Sequence, residues 1–112
     1  MNIKLLAAQL SLLAASSLGL ATTAYAQANA GKEALYVKGL AATCANCHGT
    51  NGRAVEGSSV VSIAGLDKAY MIAQMQAFKT GTRPATIMHQ LSKGYSDAQI
   101  ETLATYFAAQ KK

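Results

Sequence analysis

Two thiols and an imidazole fall within five residues of this chain, Cys44, Cys47 and His48 in the stretch CANCH, and no other cysteine is present. Three chemistries use cysteines this close. A disulfide, or a thioredoxin-like redox pair, needs only the two thiols, but a redox C-x-x-C belongs in a βαβ context. Zinc needs four ligands, which are reached only by adding His48 and His89 to the thiols. His48 directly follows Cys47, which does not match the usual zinc-ligand spacings.

Covalent haem attachment uses every part of the arrangement. Thiols at i and i+3 lie on one side of a helical turn and reach the two vinyl groups on one edge of the porphyrin, forming thioethers. The next residue directs its imidazole to the iron. C-x-x-C-H is accordingly read as c-type haem attachment. Cys44 and Cys47 are the expected thioether residues, and His48 the expected proximal ligand. A metal-bound histidine usually donates its other ring N–H to a carbonyl or carboxylate, and the loop from Val60 to Ile63 is expected to supply that carbonyl. The candidates for the sixth ligand are Met71, Met75, Met88 and His89. Met71 and Met75 share a helix face with Ile72 and Phe78, where methionine commonly fills the core. Met88 is the expected ligand, because it lies far enough beyond His48 for the chain to pass beneath the ring and return. His/Met ligation raises the reduction potential. It also fills both axial positions, which favours electron transfer over substrate chemistry at the iron.

The elements that position these residues read as helices separated by glycine-rich loops. GKEALYVKGLAATC is mostly helical, interrupted at Gly39, and leads into the cysteines. Gly49 to Ser59 is a loop by composition. VVSIAGL is β-branched, but it is the only such run and has nothing to pair with, so it is expected to be an extended loop. Asp67 is a good N-cap for a helix carrying Met71, Ile72, Met75 and Phe78 on one face, stopped by Gly81. Pro84 suits the first turn of a short helix through Ile87, Met88 and Leu91. Gly94 interrupts again. Ser96 and Gln99 then form a capping box for a last helix with Asp97 and Glu101 near its start, a buried stripe of Ile100, Leu103, Ala104 and Phe107, and Lys111 and Lys112 closing its end. The expectation is one all-α unit of three to four helices wrapped around one haem.

The first stretch is expected to lie outside that unit. Lys4, an uncharged run from Leu5 to Ala21, and the small residues Ala24 to Ala26 follow the pattern of a cleaved secretory leader. The rival reading is a membrane anchor, for which the run is short. The domains are therefore 1–26 as leader and 27–112 as the haem domain, in the periplasm, with no membrane span after cleavage. Ordering a chain this short costs roughly 1.5 kcal/mol per residue, so the haem-free chain is expected to fold poorly. With ten basic and five acidic residues the chain is mildly basic. Its lysines are scattered, with no stripe for nucleic acid. Lys38, Lys68, Lys79 and Lys93 are candidates to ring the exposed haem edge and steer an acidic partner.

TCANCHGTNGR, IAGLD, MQAFKTGTRPATIM and LSKGYSDAQIETLATYFAAQ resemble a class I c-type cytochrome nearly end to end over 27–112. TCANCHGTNG, FKTG, TIM and KGYS are similar, more narrowly, to the cytochrome subunit of flavocytochrome c sulfide dehydrogenase. The resemblance implies haem attachment at Cys44 and Cys47, axial ligation by His48 and Met88, and a flavoprotein partner that oxidises sulfide and passes on electrons. The family commonly has proline where this chain has Val61, which implies a looser loop. Some members carry two haem domains, whereas a single C-x-x-C-H implies one haem here. The function implied is one-electron transfer by a non-catalytic subunit. The rivals are a free-standing carrier feeding a terminal oxidase or reductase, and a thiol-disulfide protein without haem.

Overall fold

The computed structural model describes the backbone of residues 3–112 and the side chains of residues 25–112. Most of the expected leader, Met1–Ala26, lies outside the described side chains. The chain divides into two compact units, Met1–Leu35 and Tyr36–Lys112. Helix α1 (Ile3–His48) runs through the first and supplies the start of the second. In the second unit a 3₁₀ turn (Thr50–Gly52), α2 (Lys68–Thr80), α3 (Met88–Leu91), another 3₁₀ turn (Ser92–Gly94) and α4 (Asp97–Ala108) follow. No strand occurs among the described residues, and VVSIAGL is loop, as its isolation implied.

The core joins three helices. Ala41 of α1, Met71 of α2, and Leu103, Ala104 and Phe107 of α4 form one cluster, with Leu40, Ile63, Leu66, Ile72 and Tyr95 packed against it. The two alanines leave room for the helix backbones to approach. All four residues of the expected α4 stripe are buried, and Phe107 is only 2% exposed. Each fully buried large side chain contributes about 1.5–3 kcal/mol. Even so, three of the seven buried apolar residues among those described are alanines. That is a thin interior for this length, as expected of a domain completed by a cofactor.

Local chemistry sets the helix ends. Asp67 Oδ1 accepts the Tyr70 N–H at 2.8 Å, capping α2, which ends at Gly81 in the left-handed conformation. At α4, Ser96 Oγ accepts the Gln99 N–H and Gln99 Oε1 accepts the Ser96 N–H. Gln99 Nε2 then donates to Tyr36 Oη at 3.2 Å. One side chain thus completes a local cap and ties α4 to α1.

Three expectations are corrected. Gly39 does not interrupt α1, which is continuous to His48. A glycine costs a helix about 1 kcal/mol relative to alanine, which neighbouring turns packed on the core can offset. Pro84 does not open a helix, and α3 begins only at Met88. The Arg83 N–H and the Thr82 hydroxyl both donate to Ala77 O. The chain is therefore folded back on the end of α2 when it reaches the proline. Lys111 and Lys112 lie beyond the end of α4. Instead, Arg53 Nη2 donates to the carbonyls of Lys111 at 2.8 Å and Lys112 at 3.4 Å, fastening that segment to the turn after α1.

Candidate functional site

Cys44, Cys47 and His48 share the last turn of α1, which Gly49 ends. Gly49 has φ +84°, and a Cβ there would lie 2.0 Å from Arg53 O, so only glycine allows the chain to reverse directly behind the imidazole. The turn closes through Gly52 N–H to Gly49 O at 2.8 Å. Asn51 takes a left-handed φ of 56°, and its Oδ1 accepts the Tyr106 hydroxyl at 2.9 Å. Gly52 also has positive φ; a Cβ on it would meet Phe107 Cδ1 at 2.7 Å and Ile63 Cγ1 at 2.8 Å. Here the loop backbone lies directly on the core.

His48 Nδ1 lies 2.7 Å from Val61 O. A carbonyl only accepts, so Nδ1 carries the proton and Nε2 keeps the lone pair a metal needs. The expected carbonyl thus comes from Val61 itself, although valine stands where the family commonly has proline.

Cys44 and Cys47 are both free. Burial pushes the Cys44 thiol up. The Thr43 hydroxyl donates to Leu40 O at 2.7 Å. Its single proton is thereby used, so the Tyr95 hydroxyl is the donor in their 2.7 Å contact. Lys79 Nζ donates to Tyr95 O at 2.8 Å. These links brace the cysteine-bearing turn against the segment before α4. Nothing in the sequence marked them, because Thr43 and Tyr95 are 52 positions apart.

Met88 opens α3 and is half-buried. Met71 is part of the core, 8% exposed, and Met75 is half-buried on the same helix. His89, also half-buried, has its Nδ1 enclosed without a hydrogen-bond partner among the described residues, as does the hydroxyl of fully buried Ser92. No group of three or more His, Cys, Asp or Glu that could hold a metal ion occurs among the described residues, so the zinc reading finds no support. Of the four lysines expected around an exposed edge, Lys68 is paired with Glu101 at 3.0 Å and Lys79 with Asp97 at 2.9 Å; both serve packing between α2 and α4.

The Cytochrome c family matches residues 28–111. The chain is 40% identical over 99 residues to the cytochrome subunit of sulfide dehydrogenase of Chlorobaculum tepidum, covering 86% of this chain and 87% of that one. It is 35% identical over 71 residues to the thiosulfate dehydrogenase electron acceptor of Thiomonas intermedia, covering 63% of this chain and 33% of that protein. It is 32% identical over 93 residues to cytochrome c4 of Azotobacter vinelandii, covering 75% and 44%. The chain thus spans less than half the length of these last two. The solved cytochrome c4 structure of Acidithiobacillus ferrooxidans superposes with a TM-score of 0.55 at 33% identity, over 59% of this chain and 37% of that one.

An all-helical fold, a C-x-x-C-H turn and a histidine oriented by a loop carbonyl define a class I c-type cytochrome, and the chain belongs to the cytochrome c family. It is an electron-transfer protein with covalently attached haem c, resembling the sulfide dehydrogenase cytochrome subunit. The residues fit the group: two free thiols one turn apart, an imidazole with its Nε2 lone pair available, and large exposed apolar side chains at Val61 and Ile87. Among the described residues no helix is long and apolar enough to cross a membrane.

Proposed function

We propose that Cys44 and Cys47 form the two thioethers, that His48 Nε2 and Met88 Sδ are the axial ligands, and that the protein accepts electrons from a sulfide-oxidising flavoprotein. The single observation that supports the His48 assignment is the His48 Nδ1 contact with Val61 O, which leaves Nε2 as the coordinating atom. When bound, the haem supplies the one-electron couple. The chain's part is to hold its own atoms still: α1 fixes both thiols, Val61 holds the imidazole proton at Nδ1, and α3 presents the Met88 thioether. Small rearrangement between redox states favours fast transfer, and the fastening of this turn to α4 serves that end. Residues 1–26 act as a cleaved leader directing the haem domain, 27–112, to the periplasm, where haem attachment and the partner are found.

The partner rests on end-to-end similarity to the Chlorobaculum tepidum protein, in which neither chain leaves a large uncovered region. The likeness to the Thiomonas intermedia electron acceptor favours a second reading, a free carrier. Pull-down from the native host with flavin fluorescence as readout separates the two: a co-purifying flavin subunit supports the first, and a haem protein recovered alone supports the second.

The ligand set is tested by Met88→Ala in the haem-loaded protein. The far-red band of Met-ligated ferric haem should vanish and the reduction potential should fall, with the thioethers intact by mass. Retention of that band would move the assignment to Met75 or Met71.

A further inference from the structure

The carbonyl of Gly52 receives three donors. Ile63 N–H reaches it at 2.7 Å, Ala64 N–H at 3.0 Å and the Ser62 hydroxyl at 2.9 Å. Gly52 is buried against Phe107 and Ile63, so this oxygen is a fixed point on the core. The three donors are consecutive and begin immediately after Val61.

Their positions give them different jobs. The two backbone donors anchor residues 63 and 64, whereas the Ser62 hydroxyl anchors residue 62. The Val61 carbonyl and the Ser62 N–H share one rigid peptide plane, so fixing Ser62 fixes the direction of Val61 O. Valine does not set its own φ, as proline would. The polypeptide gives the Val61 side chain little packing, as it is 68% exposed. Within the polypeptide, the orientation of the carbonyl that receives His48 Nδ1–H is therefore restrained from the Ser62 side.

The geometry points to Ser62 as a positioning residue for the axial histidine: its hydroxyl, bound to Gly52 O, aims Val61 O at His48 and replaces the restraint that proline would give. The inference rests on the reading of His48 as an iron ligand. Ser62 touches neither the imidazole nor the haem and acts only through Val61. Its effect is on the strength of the hydrogen bond from His48 Nδ1–H to Val61 O, hence on how strongly the imidazole donates to the metal.

The test uses haem-loaded protein with ¹⁵N-labelled histidine and reads solvent exchange of the His48 Nδ1 proton, together with the reduction potential. In Ser62→Ala, exchange should accelerate about fivefold, the equivalent of one net hydrogen bond, and the potential should rise as the imidazole donates less. Ser62→Thr, which keeps the hydroxyl, should behave as the wild type. Val61→Pro combined with Ser62→Ala should restore slow exchange. If Ser62→Ala does not accumulate as holoprotein, Ser62→Cys, a weaker donor of similar size, reads the same effect. Exchange within about twofold of wild type in Ser62→Ala, or in Ser62→Cys where that replaces it, overturns the proposal, whatever the melting temperature does, because a merely structural serine would change melting alone. A wild-type oxidised protein with no hyperfine-shifted His48 ring signal would instead overturn the axial assignment, and this proposal with it.

Discussion

Between Cys44 and Ala64 the chain ties itself down: His48 to Val61, three donors on Gly52 O, and Tyr106 to Asn51. Between Ile87 and Ser92 it does not. There α3 has no side-chain cap, and His89 Nδ1 and Ser92 Oγ are enclosed without partners among the described residues. Ile87 is 57% exposed. The turn carrying His48 is thus fastened by hydrogen bonds of the polypeptide itself, while the segment carrying Met88 has a short helix without a side-chain cap. Damage to the packed anchors of the first should appear chiefly in stability, with Ser62 the exception because it acts through Val61 on His48. Loss of Met88 from the second should appear chiefly in the electronic properties of the iron, on the ligation proposed above.

The sharpest way to break this contrast is Gly52→Ala. The methyl group would collide with Phe107 and Ile63, and alanine would be held at positive φ. A loss of about 2–4 kcal/mol is expected from strain and core displacement together, read by urea unfolding. At about 4–8 °C per kcal/mol for a domain of this size, melting should fall by roughly 8–32 °C. Little change would show that this turn is softer than drawn. Tyr95→Phe probes the bridge between the regions, since the Tyr95 hydroxyl reaches Thr43 beside Cys44. It should cost about 1 kcal/mol, with the far-red band kept; a lost band would mean the bridge also holds the methionine side.

The smallest effect belongs to Asp97. Hydrogen bonds from Gln76 and Lys79, and the Lys79 charge, hold its carboxyl below the usual range. A depressed carboxyl adds stability above its unfolded pKa of about 3.9 and loses it as pH falls through the folded value. Asp97→Asn should therefore slightly lower the urea midpoint at pH 7, leave it unchanged in strong acid, and matter less in high salt, because the group is exposed. An equal loss at both pH values would assign the effect to packing.

Much of the fold was legible because its signals are local. Asp67, Gly81 and the Ser96–Gln99 box each act within one turn, and the α4 stripe follows helical period. The C-x-x-C-H turn was legible for the same reason. What the sequence could not show was contact at long separation. Thr43 gave no sign of Tyr95, nor Arg53 of Lys111. Nor was there any sign that Lys68 and Lys79 pair with Glu101 and Asp97, 33 and 18 positions away. Pro84 misled because a local preference yielded to the folding of residues 82 and 83 onto the end of α2. The absent proline at Val61 implied a slacker loop; what it could not show is that Ser62 beside it is hydrogen-bonded to Gly52 O.

The side-chain links from Tyr36, Thr43, Asn51 and Arg53 all run to residues 52 to 63 positions further along. Every one of these clasps closes only when the C-terminal segment docks on the N-terminal part of the fold. A bulky group therefore reaches Cys44 and Cys47 with least obstruction before that docking, and the docked segment then holds the finished turn shut.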